Sequence, residues 1–362
     1  MVHDGRGTGR SADPARRTTI ADVAALSGTS KGTVSFVLNN KPGVADATRR
    51  RVLSAIEELE WQPSRLARSL SNSRADAIGL VLARTAETLR ADSFFAPFLA
   101  GVEQSVAQAD MSVLLRFVST EEIELEAYQS LVRGGRVDGV IVADLRPGDP
   151  RIDLLRELGA PAVSLNRPDV PSPFPAVVND DVAGIEAAVD HLVGLGHSRI
   201  AQVSGPHRYL HTRRRRTAFS AALSGHGVRS GATVEADFTA HAAASATRRL
   251  LEVPPEVRPT AIMFDNDIMA VAGTVVAQHL GLSVPGDLSV VGFDDVELSA
   301  FVSPPLTTVR TDPFTWGLTA ARQLLAVVHG VEDVQDVVLD APELVVRGST
   351  SAPSRQLAVT GR

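Results

Sequence analysis

From Ala77 onward the chain alternates short apolar runs with amphipathic stretches, and that alternation restricts it to few folds. Runs of strand length occupy Ile78–Leu82, Ser112–Phe117, Val137–Val142 and Ala162–Leu165, then Ile200–Val203, Ala261–Phe264 and Leu288–Gly292. Stretches of helical period lie among them, such as Phe98–Gln108, Ile123–Arg133, Arg215–Gly225, Ala242–Leu251, Asp267–Leu280 and Phe314–Val328. Apolar strands joined by crossover helices make parallel sheets covered on both faces. The span has room for two such sheets, which predicts an α/β body of two lobes with a cleft between them. Ligands of such folds bind where the C-terminal ends of the strands meet the crevice.

Polar residues recur at those strand ends. Asn166-Arg167 follow Val163–Leu165, Asn266-Asp267 follow Ile262–Phe264, and Asp294-Asp295 follow Val290–Phe293. Arg215 stands at the start of a helix, four residues before Phe219. Carboxylate, amide and guanidinium groups converging on a cleft suit a polyhydroxylated ligand, because each hydroxyl both donates and accepts. Phe94, Phe95 and Phe238 would cover the apolar faces of a ring. Taken singly, Asn266 and Asp294 read more simply as a helix cap or turn residue, so the convergence carries the expectation. The run Arg213–Arg216 points in several directions on a helix, which predicts a solvated face with one inward arginine.

Ahead of this body, residues 18–40 read as two short helices, about Ile20 to Leu26 and Lys31 to Asn39, joined by a glycine turn at Gly28. Thr19 and Asp22 form a capping box, and Ser30 caps the second helix. Ile20, Val23, Ala24, Val34, Val37 and Leu38 make one apolar face, while Lys31, Gly32, Ser35 and Phe36 fall on another. That is the helix-turn-helix layout, whose second helix enters the DNA major groove; the alternative at this point is an amphipathic helix pair from any helical domain. A third helix from about Asp46 to Glu60 packs behind the pair through Val52, Ile56 and Leu59 with Leu53 beside them, and Trp61 and Pro63 close this head. Ser64–Leu70 are too few for a helix alone in water. Leu66, Ala67 and Leu70 share one face, so the segment reads either as a hinge helix that folds against a partner copy and DNA, or as a solvated linker.

Residues 1–76 hold 12 Lys and Arg against 8 Asp and Glu, whereas the whole chain of 362 residues has a net charge of −6. A cationic head on an acidic body places nucleic acid at the head. The absence of cysteine removes disulfides and thiolate chemistry. None of the nine histidines has metal-ligand spacing; His191 and His197 suit a helix end and a turn. No nucleophile elbow or phosphate loop appears, so an enzyme is disfavoured, and no cofactor is expected. No apolar run approaches membrane-spanning length, and Met1–Arg17 lack a secretory core. A disordered leader on a soluble cytoplasmic protein is therefore expected.

With these residues set out, the chain resembles the LacI/GalR (lactose/galactose repressor) family of bacterial transcription factors. The segments that carry the likeness are Thr19–Ala24, Thr33–Ser35, Ala67–Leu70, Gly196–Ile200, Val291–Asp295 and Pro304–Val309. The resemblance implies a homodimer reading a pseudo-palindromic double-stranded operator, with a periplasmic-binding-protein-like body that takes a small effector. Implied domains are a leader (1–17), the head (18–63), a hinge helix and linker (64–76), the effector domain (77–351) and a tail (352–362). The first lobe would comprise about 77–178 and 309–335, and the second about 179–308 and 336–351. DNA contacts would come from Thr19, Ser30, Lys31, Gly32, Thr33, Ser35, Phe36, Asn39, Arg65, Ala67 and Leu70, the last wedged into the operator centre. Asn166, Arg215, Asn266 and Asp294 match positions that hold effector sugars, and Phe238 an aromatic wall.

Four departures from the family pattern bear on function. Phe36 stands where many members have an arginine that reads guanine, which predicts a shifted base preference. Ser64 replaces the usual hinge Asn, and Ala45 the usual capping Ser, which would pass the cap to Asp46. Ala218 replaces a glycine after Arg215. The resemblance implies a repressor of sugar uptake or catabolism genes. It leaves the effector open among sugars, phosphosugars and nucleobases, and its sense open between inducer and corepressor. The tail carries no heptad repeat, so a dimer is expected and not a coiled-coil tetramer.

Overall fold

A computed structural model of the chain describes residues 18–38, 41–61, 74–229 and 231–354. The head contains α1 (Ile20–Ser27), α2 (Lys31–Leu38) and α3 (Asp46–Glu58). The Thr19 amide and hydroxyl both donate to the Asp22 carboxylate, at 2.8 and 2.7 Å. Gly28 ends α1 in the left-handed region at φ +65°, and the Ser30 hydroxyl accepts the Thr33 N–H at 3.1 Å to start α2. Val23, Val34 and Val52, one from each helix, are fully buried together with Trp61. Two local expectations fail. Ala45 is the N-cap of α3 without any side-chain bond, because the helix begins at Asp46 itself; that carboxylate lies in the first turn, near the positive end of the helix. Leu53, one position past the buried Val52, is turned outward and is 51% exposed.

The body opens with β1 (Ala77–Ala83), α4 (Ala86–Ala91), α5 (Phe95–Gln108), β2 (Ser112–Val118), α6 (Glu121–Arg133), β3 (Gly139–Val142), α7 (Pro150–Glu157), β4 (Ala162–Leu165) and β5 (Ala176–Val178). It continues with α8 (Asp181–Gly194), β6 (Ile200–Ser204), α9 (Leu210–Gly225), β7 (Thr233–Glu235), α10 (Ala240–Leu251), β8 (Ala261–Phe264), α11 (Asp267–His279) and β9 (Ser289–Asp294). A 3-10 turn at Glu297–Ala300, then β10 (Thr307–Arg310), α12 (Pro313–Val328), β11 (Val337–Val338) and β12 (Glu343–Val345) complete it. One sheet has the order β11-β5-β4-β3-β1-β2 and the other β12-β10-β9-β8-β6-β7. All pairings are parallel except β10 with β12.

Period-two alternation on β1 feeds both faces of the first sheet. Ile78, Leu80 and Leu82 meet α5 and α12, whereas Val81 meets α6. The helices α5 and α12 touch at backbone distance. A Cβ on Gly101 would fall 2.0 Å from the Phe314 carbonyl oxygen, and one on Gly317 2.0 Å from that of Phe98. This contact seats α12 in the first lobe although it follows nearly all of the second.

The chain crosses between lobes at 179–180, 311–312 and 339–342. Two expected boundaries shift accordingly. Val309 and Arg310 pair with β9 and belong to the second lobe. Val337-Val338 pair with β5 in the first, where the Asp336 carboxylate accepts the Ala176 N–H at 2.8 Å. His197, expected in a turn, is buried there and bonds Thr260, Ser289 and the Ser351 carbonyl, fastening the last described segment to the second lobe. Among the described residues, no helix is long and apolar enough to cross a membrane.

Candidate functional site

In the head, α2 turns Val34 and Val37 inward, which leaves Lys31 and Gly32 exposed and Thr33 and Ser35 half-buried. Thr19 and Ser30, at the starts of α1 and α2, are exposed as well. Phe36 is 47% exposed, with the Lys41 ammonium 5.6 Å from its ring centre. An apolar ring of this size half exposed on a small unit is surface available to a partner. Asn39, Arg65, Ala67 and Leu70 lie outside the described residues.

In the body, the C-terminal ends of both sheets surround a cavity of about 760 Å³, its open mouth included. The loops after β1, β3 and β4 bring Arg84, Asp144 and Asn166 from the first lobe. The second contributes His211 and Arg215 from α9, and Phe238, Asn266 and Asp294 from the ends of β7, β8 and β9. Asp144, Asn166, Phe238 and Asp294 all have positive φ, between 52° and 109°. Such backbone costs a non-glycine residue energy and gathers where a side chain must be aimed.

One hydrogen-bonded chain runs from lobe to lobe through the first crossing. The Asn166 side-chain oxygen accepts the Asn179 N–H at 2.9 Å, and the Asn179 amide donates to Asp181 at 2.6 Å. Arg215 donates to Asp181 at 2.8 Å and to the Asp265 carbonyl at 3.0 Å, with its guanidinium 3.8 Å from the Phe293 ring centre. The Asp265 carboxylate accepts from Gln202 at 2.9 Å and from the Gly205 N–H at 3.0 Å. Burial alone would lower the Arg215 pKa; Asp181, Asp265 and Asp294 reverse that and hold it above its ordinary value. Asp294 shows the opposite balance. Burial, reinforced by Asp267, Asp92 and Asp181, outweighs Arg215 and raises its carboxyl well above the usual range.

A second cluster centres on Arg84. Its guanidinium grips Asp144 bidentately at 2.6 and 2.8 Å, pairs with Asp92, and lies 5.3 and 5.6 Å from the Tyr209 and Phe238 rings of the second lobe. His211 stacks between those rings at 5.4 and 5.9 Å. Burial, then the charge of Arg215, pushes the His211 pKa down to about 4, so at neutral pH the ring keeps one donor and one acceptor. Phe94 and Trp316 meet edge to face at 5.5 Å and form an apolar wall.

Six of the seven expected ligand residues thus line one cavity: Phe94, Asn166, Arg215, Phe238, Asn266 and Asp294. Phe95 does not. As the first residue of α5 it turns into the core and places its ring under Arg84 at 4.9 Å. Asn266 also fulfils the simpler reading: it caps α11 by accepting the Met269 N–H, while its amide holds the Phe238 carbonyl. Of the arginine run, only Arg215 is buried. Asp294 and Asp295 diverge, the latter pairing with Arg310 and Arg347 away from the cavity. Sequence reasoning missed Arg84, Asp92, Asp144, Asp181 and His211. For Arg84 and Asp144 the signal was present, since each follows an apolar strand run as Asn166 does.

A two-lobed α/β body with a polar cavity at its strand ends, on one chain with a helix-turn-helix unit, defines a ligand-responsive transcriptional regulator. Residues 19–64 match the model for bacterial regulatory proteins of the lacI family, and residues 189–350 that for the periplasmic binding protein-like domain. The HTH-type transcriptional regulator CelR of Thermobifida fusca is 34% identical over 319 residues, covering 87% of this chain and 93% of that protein. A solved CelR–cellobiose complex is 32% identical with a TM-score of 0.70, over 92% of this chain and 100% of that one. The lac repressor dimer bound to operator and the anti-inducer ONPF is 29% identical with a TM-score of 0.80, over 93% and 100%. The chain belongs to the LacI family of transcriptional regulators.

Proposed function

We propose that the protein is a homodimeric repressor of sugar uptake or catabolism genes, released from a pseudo-palindromic operator by a small carbohydrate. The observation that carries this reading is the chain of amide, carboxylate and guanidinium groups from Asn166 to Asp265, which spans both lobes of one cavity. A polyol seated there bonds to both lobes at once and so favours one angle between them over others. The complex of the relative CelR with cellobiose supports the ligand class, and the operator-bound lac repressor dimer supports the DNA partner and the dimer.

Lys31, Gly32, Ser35 and Phe36 face base edges in this reading, with Thr19, Ser30, Thr33 and Asn39 beside them, and residues 64–76, through Arg65, Ala67 and Leu70, act as the hinge in the minor groove. Phe36 donates no hydrogen bond, and touches a thymine methyl in place of a guanine. The exposed Leu115 and Phe117 on edge strand β2, and Leu298 and Phe301 beyond β9, supply apolar surface for the partner copy. The protein acts in the cytoplasm, where operator DNA is, and performs no catalysis.

Selection of bound fragments from the source genome, followed by effector titration, tests the proposal. The expected result is a palindromic site near transport or sugar-catabolism genes, with operator affinity falling ~5–150-fold on saturation and effector affinity falling by the same factor on DNA. Operator and effector affinities that prove independent of each other would overturn it.

A further inference from the structure

The charges lining the cavity do not balance. Four carboxylates, those of Asp92, Asp144, Asp181 and Asp265, line the cavity with two guanidinium groups, Arg84 and Arg215, while burial holds the Asp294 carboxyl toward its neutral form. Both cations are already engaged, Arg84 by two carboxylates and Arg215 by Asp181 and a carbonyl. We infer that the cavity selects an effector without negative charge, a neutral polyol or one bearing an amine, and rejects phosphorylated and carboxylated ligands. This rests on the reading of the cavity as the effector site, and narrows the chemical class that site accepts.

Two further features point the same way. The other members of the arginine run do not face inward with Arg215 and supply no anion site there. Arg213 donates to the His207 carbonyl, Arg216 lies against the His207 ring, and Arg214 donates to the Arg167 carbonyl. His211, the remaining basic group of the lining, is neutral at physiological pH. Asp294 meanwhile has a hydrogen bond of only 3.5 Å from Thr311, and its backbone is held at φ +109°. A ligand hydroxyl would satisfy its carboxyl, whereas a phosphate would add negative charge beside Asp92, Asp144 and Asp181 in a low-dielectric site. Like-charge juxtaposition of this kind corresponds to roughly 100-fold or more in affinity.

The test uses the full chain and matched probes: glucose and glucose 6-phosphate, trehalose and trehalose 6-phosphate, inosine and inosine monophosphate, with hypoxanthine and glucosamine alongside, each titrated calorimetrically. Binding of an uncharged or amine-bearing member, with its phosphorylated partner at least 100-fold weaker, is expected. A phosphorylated member that binds as tightly as its parent overturns the inference. Preference for a sugar phosphate would keep the sugar reading and overturn the charge rule. Binding of hypoxanthine, with neither the sugars nor inosine monophosphate bound, would keep the rule and overturn the sugar reading. In Asp92→Asn, which removes one carboxylate from the lining and frees one side of Arg84, the gap between the paired probes should narrow several-fold, and an unchanged gap counts against the inference. Native mass spectrometry of the protein equilibrated with a metabolite extract supplies a reading without a chosen ligand, and capture of an anion overturns the proposal.

Discussion

Arg84 leaves the first lobe and ends against the aromatic rings of the second, so one side chain joins carboxylate pairing to lobe contact. Arg84→Met keeps the apolar stem but strands Asp144 and Asp92, and removal of one partner from a buried pair costs about 3–5 kcal/mol. Urea denaturation should show that loss, with a smaller one in Arg84→Lys, which keeps the charge and gives up the bidentate geometry. His211 makes a prediction with a definite sign. Its folded pKa of about 4 lies below the ordinary 6.5, so the unfolded chain binds the extra proton between those values. Its contribution is intact above pH 6.5 and lost as the pH falls toward 4, by about 3 kcal/mol at most. Asp267, raised to about 6 by burial, acts oppositely over much of that window, so the test compares variants. Acidification from pH 7 to 4 should destabilise the wild type more than His211→Gln. These two residues also mark how far the sequence could be read. Asn166, Asn266 and Asp294 were legible because polar residues at the end of an apolar strand lie at the crevice. His211 is on a helix, where the inward direction depends on packing that no local pattern records, and Phe95 fails for the same reason.

The elements themselves were largely legible, since period two and period 3.6 follow directly from which face is buried. What periodicity does not show is which distant element provides the cover. The backbone contact of α5 with α12 depends on Gly101 and Gly317, more than two hundred residues apart, and neither glycine is in a turn that would have drawn notice. Gly317→Ala forces a methyl onto the Phe98 carbonyl and should cost about 1–3 kcal/mol in thermal or urea unfolding. Gly194, in the last turn of α8 with nothing within 4 Å of a added Cβ, is the control. Gly194→Ala should be neutral or stabilising by about 0.4–1 kcal/mol. The antiparallel strand β12 was not foreseen either. Its direction follows from the chain's return across the cleft after β11, a tertiary route that leaves no mark on a three-residue strand.

At the scale of the molecule, the chain divides at Arg74 into two compact units, and each has its own core. A chain that starts at Ala75 should therefore keep effector affinity within about twofold and lose operator binding, as measured by calorimetry and gel shift. Equal loss of both would show that the body depends on its head. The lobes are not separable in this way. The first sheet ends in β11 and the second in β12, both drawn from the last thirty residues before the tail, and α12 reaches the first lobe only after the second has been built. That lacing governs what recombination between related genes can exchange. A single crossover near codon 74 transplants an operator preference whole, whereas a continuous segment of DNA cannot carry one lobe without fragments of the other. Exchange of effector specificity between such genes should therefore require the entire body, or point substitution at the strand ends.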